Sequence, residues 1–180
     1  MKRIFLWFVS ITALFCLAHP SYAQNDKKTE KALFGEGCFW HTEAIYSHMP
    51  GVVSTMVGYT GGHVENPTYP QVCSHKTGHI ETVLIEFDPK VISYEKLLDT
   101  FFGSHDPTSI DRQGFDFGEQ YKSIVFYLSP EQKTAVEKSI EKWQKSGKVR
   151  GKIVTEVRPA TTFYKAEEYH QKYYEKNGYK

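Results

Sequence analysis

The stretch Phe34-Gly35-Glu36-Gly37-Cys38-Phe39-Trp40-His41-Thr42-Glu43 reads as a strand end, a glycine turn and the start of a helix. Apolar Ala32-Leu33-Phe34 supplies the strand. Residues 42–49 have helical spacing, with Trp40, Ala44, Ile45 and Met49 on one face. Cys38 then falls at a helix N-terminus, where unpaired backbone N–H groups and the helix dipole favour an anion. Such a setting turns a thiol towards its nucleophilic thiolate. A small buried cysteine in a turn fits the same residues, and the local sequence leaves both readings open.

Upstream, Met1-Lys2-Arg3 is a basic start, Ile4 to Leu17 is an apolar run, and Ser21-Tyr22-Ala23 has small residues at both ends. This is the pattern of a secretory signal cleaved after Ala23. The run is shorter than the roughly 20 apolar residues a membrane span needs. A lipoprotein reading through Cys16 is weakened by bulky Phe15 beside it. The expected organisation is therefore residues 1–23 signal peptide, 24–31 polar linker and 32–180 a single domain, exported to the periplasm or beyond. With 40% hydrophobic and 15% aromatic residues the chain can build a real core, and a net charge of +1 gives no basic block for nucleic acid. No stable membrane association is expected after cleavage, and a monomer is expected.

Downstream, Val53, Thr55 and Val57 alternate with Val52, Ser54 and Met56 as a strand, broken by Gly58-Tyr59-Thr60-Gly61-Gly62. Residues 63–78 form a long loop, of the kind that is functional when ordered. The clearest strand is 79–88, where His79, Glu81, Val83, Ile85 and Phe87 share a face. A carboxylate on that apolar face should have its pKa raised by desolvation, which suits a general acid near neutral pH; a solvated strand-end glutamate is the alternative. Ser93 caps a helix with the stripe Tyr94, Leu97, Leu98 and Phe101, ending near Gly103. Residues 105–121 are polar and without period, a solvated or a binding loop. A strand over 121–128, a helix opened by Ser129-Pro130 with a buried face of Val136, Ile140 and Trp143, and a strand over 153–157 follow. The tail is tyrosine-rich, with a helix expected over 166–175. This order predicts an α+β fold: a two-layer α/β sandwich with helices on a mixed or antiparallel sheet, long ordered loops and an irregular C-terminal tail.

After cleavage only Cys38 and Cys73 remain. An even pair in an exported protein suggests a disulfide, although a domain of this size does not need one. Cys73-x-His75-x3-His79 has metal-like spacing but lacks a convincing fourth ligand, so no metal is expected.

Several stretches together resemble the A-type peptide methionine sulfoxide reductases. They are Gly37-Cys38-Phe39-Trp40, Val57-Gly58-Tyr59-Thr60-Gly61-Gly62, Asn66-Pro67-Thr68-Tyr69, Thr77-Gly78-His79-Ile80-Glu81, His105-Asp106-Pro107-Thr108, Arg112-Gln113-Gly114, Gln120-Tyr121 and Phe163-Tyr164-x-Ala166-Glu167-x-Tyr169-His170-Gln171. In register they cover about residues 32 to 175, essentially the whole mature chain. The resemblance implies thiol-dependent reduction of methionine-S-sulfoxide, free or in proteins, with no metal or organic cofactor. By matching position it implies Cys38 as nucleophile, Glu81 as acid, Tyr69 and Tyr121 as donors to the sulfoxide oxygen, Asp116 on the polar side, and Phe39 and Trp40 as the apolar pocket for the methyl group. Thiolate attack raises charge on oxygen, so donors and an acid aimed there stabilise the transition state. The product is a Cys38 sulfenic acid.

His41, His75 and Phe115 depart from the small residue, glycine and asparagine common in the family, all at the rim. The tail lacks the recycling cysteines of many relatives, and Cys73 matches a family cysteine that is not the usual resolving residue. The expectation is a one-cysteine enzyme reduced by an external thioredoxin-like or glutaredoxin-like thiol. Two other readings make different predictions: a disulfide-bonded binding domain, and a Cys–His hydrolase pairing Cys38 with His79 or His170.

Overall fold

The computed structural model describes residues 28–179. The signal-peptide reading falls on residues outside these. Strand β1 spans Glu30–Glu36, so the chain enters the sheet two residues earlier than the linker reading placed it. Helix α1 is Phe39–Ser47, β2 Val52–Thr60, α2 Tyr69–Cys73, β3 Ile80–Phe87 and α3 Tyr94–Ser104. The chain continues through β4 Arg112–Gln113, β5 Asp116–Phe117, a 3-10 turn Glu119–Tyr121, β6 Ser123–Tyr127 and α4 Pro130–Lys145. It ends with β7 Glu156–Pro159, β8 Tyr164–Lys165 and α5 Tyr173–Lys176.

Six strands form one sheet in the order β7-β6-β1-β3-β2-β8. Among these strands only β6 and β7 run parallel, so the sheet is mixed, one of the two arrangements the element order allowed. One face carries Ala32, Phe34, Val57, Tyr59, Val83, Ile85 and Phe87, buried against α1, α3 and α4 through Phe39, Tyr46, Leu97, Leu98, Phe101 and Val136. The other face is a smaller cluster of Leu33, Ile80, Ile124 and Phe126, covered by Ala160 and Phe163 of the irregular tail. Alternation along each strand sends successive side chains to these two layers. Glu81 therefore points to the helix face, in line with Val83, Ile85 and Phe87.

Four local readings change. Gly58 does not break β2: it pairs with Thr82 on one side and Lys165 on the other. A Cβ there would overlap the Phe163 ring and the Tyr164 carbonyl, so the glycine serves close strand approach. The loop over 63–78 contains α2, whose Thr68 cap and Gln71 form a reciprocal capping box. The polar stretch 105–121 contains the β4–β5 hairpin. In the tail, residues 166–167 are irregular, 168–172 are turns and only Tyr173–Lys176 is helical.

The buried face of α1 is also not the one its apolar spacing suggested. Phe39, Thr42, Glu43 and Tyr46 are buried, while Trp40, Ile45 and Met49 are only partly covered. Glu43 is accepted inside because Thr55 Oγ1 donates to it at 3.0 Å and the Lys172 backbone N–H at 2.7 Å, with Lys172 Nζ at 3.7 Å. A carboxylate with that many partners is no longer a buried unpaired charge.

Candidate active site

The site is built where β1 ends, α1 begins and β3 passes beneath them. Gly37 adopts φ +100°, a conformation L-residues avoid, and it turns the chain out of β1. Cys38 follows as the N-cap residue of α1, half-buried. The backbone N–H groups of Trp40 and His41 at the start of the helix favour the thiolate, although His41 N–H itself donates to the Cys38 carbonyl at 3.1 Å, and burial and the Glu81 charge outweigh them. The Cys38 pKa is pushed up to about 12, from 9.0. Of the two readings the local sequence left open, the pull of the helix N-terminus towards a thiolate is outweighed in the resting site, because desolvation dominates.

Glu81 is 1% exposed. Its Oε2 accepts one hydrogen bond, from the Phe39 backbone N–H at 3.1 Å, which ties the carboxyl to the residue after Cys38. Burial raises its pKa from 4.5 to about 8, opposed by the Phe39 N–H and reinforced by Asp116. At neutral pH Glu81 is therefore mostly a carboxylic acid, able to donate a proton. The Cys38 pKa and the Glu81 charge are linked, because a protonated Glu81 spares the thiolate its repulsion.

Tyr69 and Tyr121 are half-buried beside this pair. Both hydroxyls are held protonated, first by burial and also by the nearby Glu81 charge, so they are donors. The Tyr69 hydroxyl lies beside Cys73, which adds to the burial that keeps it protonated. Asp116, on β5, is exposed but close enough for its charge to act on both Cys38 and Glu81. Phe39 is 1% exposed, packed between Tyr59 at 5.8 Å and His170 at 5.0 Å. Trp40 is half-buried, and Tyr173 stacks on it at 3.7 Å and 7°. The structure thus brings all seven residues read from the sequence to one end of the sheet, with one face of Trp40 already covered by the tail.

Four tail residues join the site: Glu167 and His170 were read in a motif, His170 also as the base of the hydrolase alternative, and Tyr173 and Tyr174 only as part of a tyrosine-rich tail. Glu167 joins two of its walls: Oε2 accepts from Tyr59 at 2.9 Å and Oε1 from the Tyr69 backbone N–H at 2.8 Å. His170 is fully buried, and its Nδ1 accepts from Trp40 Nε1 at 2.9 Å. Burial lowers its pKa, so the ring is neutral, with its proton on Nε2, 3.9 Å from Glu167. Tyr173 and Tyr174 complete the wall; the charges of Cys38 and Asp116 reach Tyr174. The repeated aromatic and Glu-His spacing of 164–174 was the available signal.

The sequence alternatives find no support in these contacts. Cys38 and Cys73 are both free thiols. His79 is engaged by Val64 O at 2.7 Å and the Gly62 N–H at 3.3 Å, and His170 by Trp40, so neither ring is hydrogen-bonded to Cys38. His75 lies against Gln120 Oε1 at 2.8 Å instead of completing a metal site with Cys73 and His79.

The family model described as peptide methionine sulfoxide reductase matches residues 30–180. A peptide methionine sulfoxide reductase MsrA of Methanothermobacter thermautotrophicus is 56% identical over 148 residues, covering 82% of this chain and 88% of its own length. Among solved structures, Mxr1 from Saccharomyces cerevisiae in reduced form superposes with a TM-score of 0.78 at 37% identity, covering 86% of this chain and 88% of that one. Mxr1 in complex with Trx2 superposes at 0.56 and 27% identity, over 86% of this chain and 91% of that one.

Proposed function

The chain belongs to the peptide methionine sulfoxide reductase family, and we propose from that premise how its own residues carry the reaction. It is an oxidoreductase that reduces methionine sulfoxide in proteins or free, a repair of oxidised methionine. The observation that carries the assignment of roles is the Glu81 carboxyl: buried, with its pKa raised to about 8, and fixed beside Cys38 by the Phe39 N–H.

In this reading the sulfoxide enters with its methyl group towards Phe39 and Trp40 and its oxygen towards Glu81, Tyr69 and Tyr121. Tyr69 donates to the oxygen. Cys38 sulfur attacks the sulfoxide sulfur while Glu81 gives its proton to the oxygen and recovers one from the Cys38 thiol. The S–O bond breaks as oxygen passes to Cys38. Methionine leaves reduced by two electrons, and Cys38 is oxidised to the sulfenic acid. Donors waiting for the developing charge need no rearrangement of water, which is where such a site gains its rate. Burial holds Glu81 protonated, and the Asp116 charge adds to it. A sulfur bearing methyl, oxygen and lone pair is chiral, so a site with one apolar and one polar wall can select one epimer, and the family resemblance implies that it is the S epimer.

Recycling uses an external dithiol. Its first thiol condenses with the sulfenic acid, releasing water and leaving a mixed disulfide; its second thiol breaks that bond and restores Cys38. The solved complex of a relative with Trx2 supports a thioredoxin-like partner for this chain. We assign residues 1–23 to an export signal and the mature protein to the periplasm or beyond as a monomer, on the basic start, the apolar run and the small-residue site. The partner there must itself be supplied with electrons.

The test is single-turnover reduction of each epimer of a methionine sulfoxide peptide by pre-reduced protein. About one equivalent of methionine is expected from the S epimer alone, and none with Cys38→Ser. Methionine formed by Cys38→Ser, or none formed by the wild type, would overturn the assignment.

A further inference from the structure

Beside the catalytic cluster stands a hairpin with apolar side chains that the reaction does not use. Strands β4 and β5 pair antiparallel, with Gly114-Phe115 at the tip. The base is fixed. The Gly118 N–H donates to Asp111 O at 2.9 Å, and the Gln113 side chain exchanges hydrogen bonds with the Asp106 backbone at 2.9 and 3.1 Å. Gln113 also packs against Gly37, the residue before Cys38, so the hairpin abuts the nucleophile directly. Yet Phe115 is 99% exposed, Ile110 71% and Phe117 63%. Arg112 lies over the Phe117 ring at 5.0 Å and shelters one of its faces. A fully exposed phenylalanine on an anchored turn, at the mouth of a reactive-cysteine site, buries nothing in this chain; such patches mark interaction sites.

We propose that this hairpin is the subsite for apolar side chains flanking the oxidised methionine of a polypeptide substrate. The proposal rests on the reading of Cys38 as the sulfoxide-reducing nucleophile and adds what the enzyme grips besides the sulfoxide. Three observations favour this occupant. The surface is continuous with the reacting residue through the Gln113–Gly37 contact. Neighbours along an extended chain lie only about 3.3 Å apart per residue, so side chains next to a sulfoxide held at Cys38 fall within reach of the hairpin. Methionine is a core residue whose oxidation disrupts packing, so a segment presenting the sulfoxide also presents its apolar neighbours. Free methionine sulfoxide has no such neighbours and gains nothing from Phe115.

The experiment compares wild type, Phe115→Ala and Phe115→Ala/Ile110→Ala with dithiothreitol as reductant, so that no protein reductant is involved. The substrates are N-acetyl-methionine-S-sulfoxide and two pentapeptides whose central sulfoxide is flanked by leucine and phenylalanine or by glycine and serine. For the apolar-flanked peptide KM should rise roughly five- to tenfold in Phe115→Ala, and further in the double variant, as expected when part of an aromatic contact is lost. The kcat values, and KM for the other two substrates, should stay unchanged. Unchanged KM on the apolar peptide, or an equal rise on all three substrates, would overturn the proposal. So would a KM effect that appears only when thioredoxin replaces dithiothreitol, which would give the hairpin to the reductant. Failure of the wild type on N-acetyl-methionine-S-sulfoxide would instead refute the underlying reading of Cys38.

Discussion

Glu43 on helix α1 and Glu81 on β3 beneath that helix are both buried, at 2% and 1% exposure, but their surroundings differ. Glu43 collects the Thr55 hydroxyl, the Lys172 backbone N–H and the Lys172 ammonium, and thereby pins the C-terminal tail to the helix. Glu81 has one hydrogen bond, from Phe39, and its further charged neighbour, Asp116, is of the same sign. A buried carboxylate given donors and a cation is a fastener. One given a single donor and a repelling neighbour is kept ready to hold and release a proton.

The largest effect should come from breaking the Glu81 side. Glu81→Gln keeps the shape and an acceptor for the Phe39 N–H but cannot deliver a proton, so single-turnover methionine formation at pH 7 should slow by roughly a hundredfold. The wild-type rate should fall as pH rises through about 8, where Glu81 loses its proton, and the variant should lack that limb. The substitution should lower the rate but raise the stability at high pH. The folded Glu81 has its pKa raised from 4.5 to about 8, so in that window the native state holds a proton the unfolded chain releases, and stability falls as pH rises. Glu81→Gln should therefore be more stable than wild type at pH 9, by on the order of a few kcal/mol, with the gain vanishing towards pH 4. Urea melts at the two pH values check this. A variant that is slower but no more stable at pH 9 would mean that burial does not hold Glu81 protonated.

Glu43→Ala sharpens the contrast. It leaves the Lys172 N–H and ammonium without their buried partner and should cost on the order of 2–4 kcal/mol, read as a lower urea midpoint. Because Lys172 precedes Tyr173, which stacks on Trp40, the loosened tail should raise KM several-fold while kcat at a permissive temperature changes little. A variant with normal KM would separate the tail from the substrate wall.

The difference between the two glutamates also marks what the sequence could show. Glu81 was legible because strand alternation put it on the face of Val83, Ile85 and Phe87, a relation spanning a few residues. Glu43 was not, because its partners are Thr55 and Lys172, and no local period announces a cation far along the chain. The same cause misplaced the buried face of α1, where apolar spacing pointed to Trp40 and Ile45 while the tail and sheet buried Thr42 and Glu43. It also hid the role of Glu167, which holds Tyr59 and Tyr69 together from the far end of the chain. Gly58 was misread because a glycine that admits a neighbouring strand and one that ends a strand look alike in sequence. The local sequence left the state of Cys38 open: helix-end donors were foreseen, but the larger desolvation depends on the finished fold.

The smallest expected effect concerns the second cysteine, a residue close to the site but outside the proton pathway. Burial raises the Cys73 pKa, with the neighbouring Tyr69 hydroxyl opposing it, so near neutral pH the group is a thiol and a poor attacker. Cys73→Ser suits the same neighbour, since a serine oxygen can accept from Tyr69. Single-turnover methionine formation should therefore be unchanged in Cys73→Ser, and turnover with a thioredoxin-like reductant should stay within about twofold of wild type. After one turnover without reductant, dimedone should label Cys38 in both proteins, because the raised pKa keeps Cys73 a thiol that attacks the sulfenic acid poorly. If the wild type instead yields a Cys38–Cys73 disulfide and Cys73→Ser loses turnover with thioredoxin, Cys73 is the resolving thiol. The one-cysteine cycle would then fall, while the roles of Cys38 and Glu81 stand.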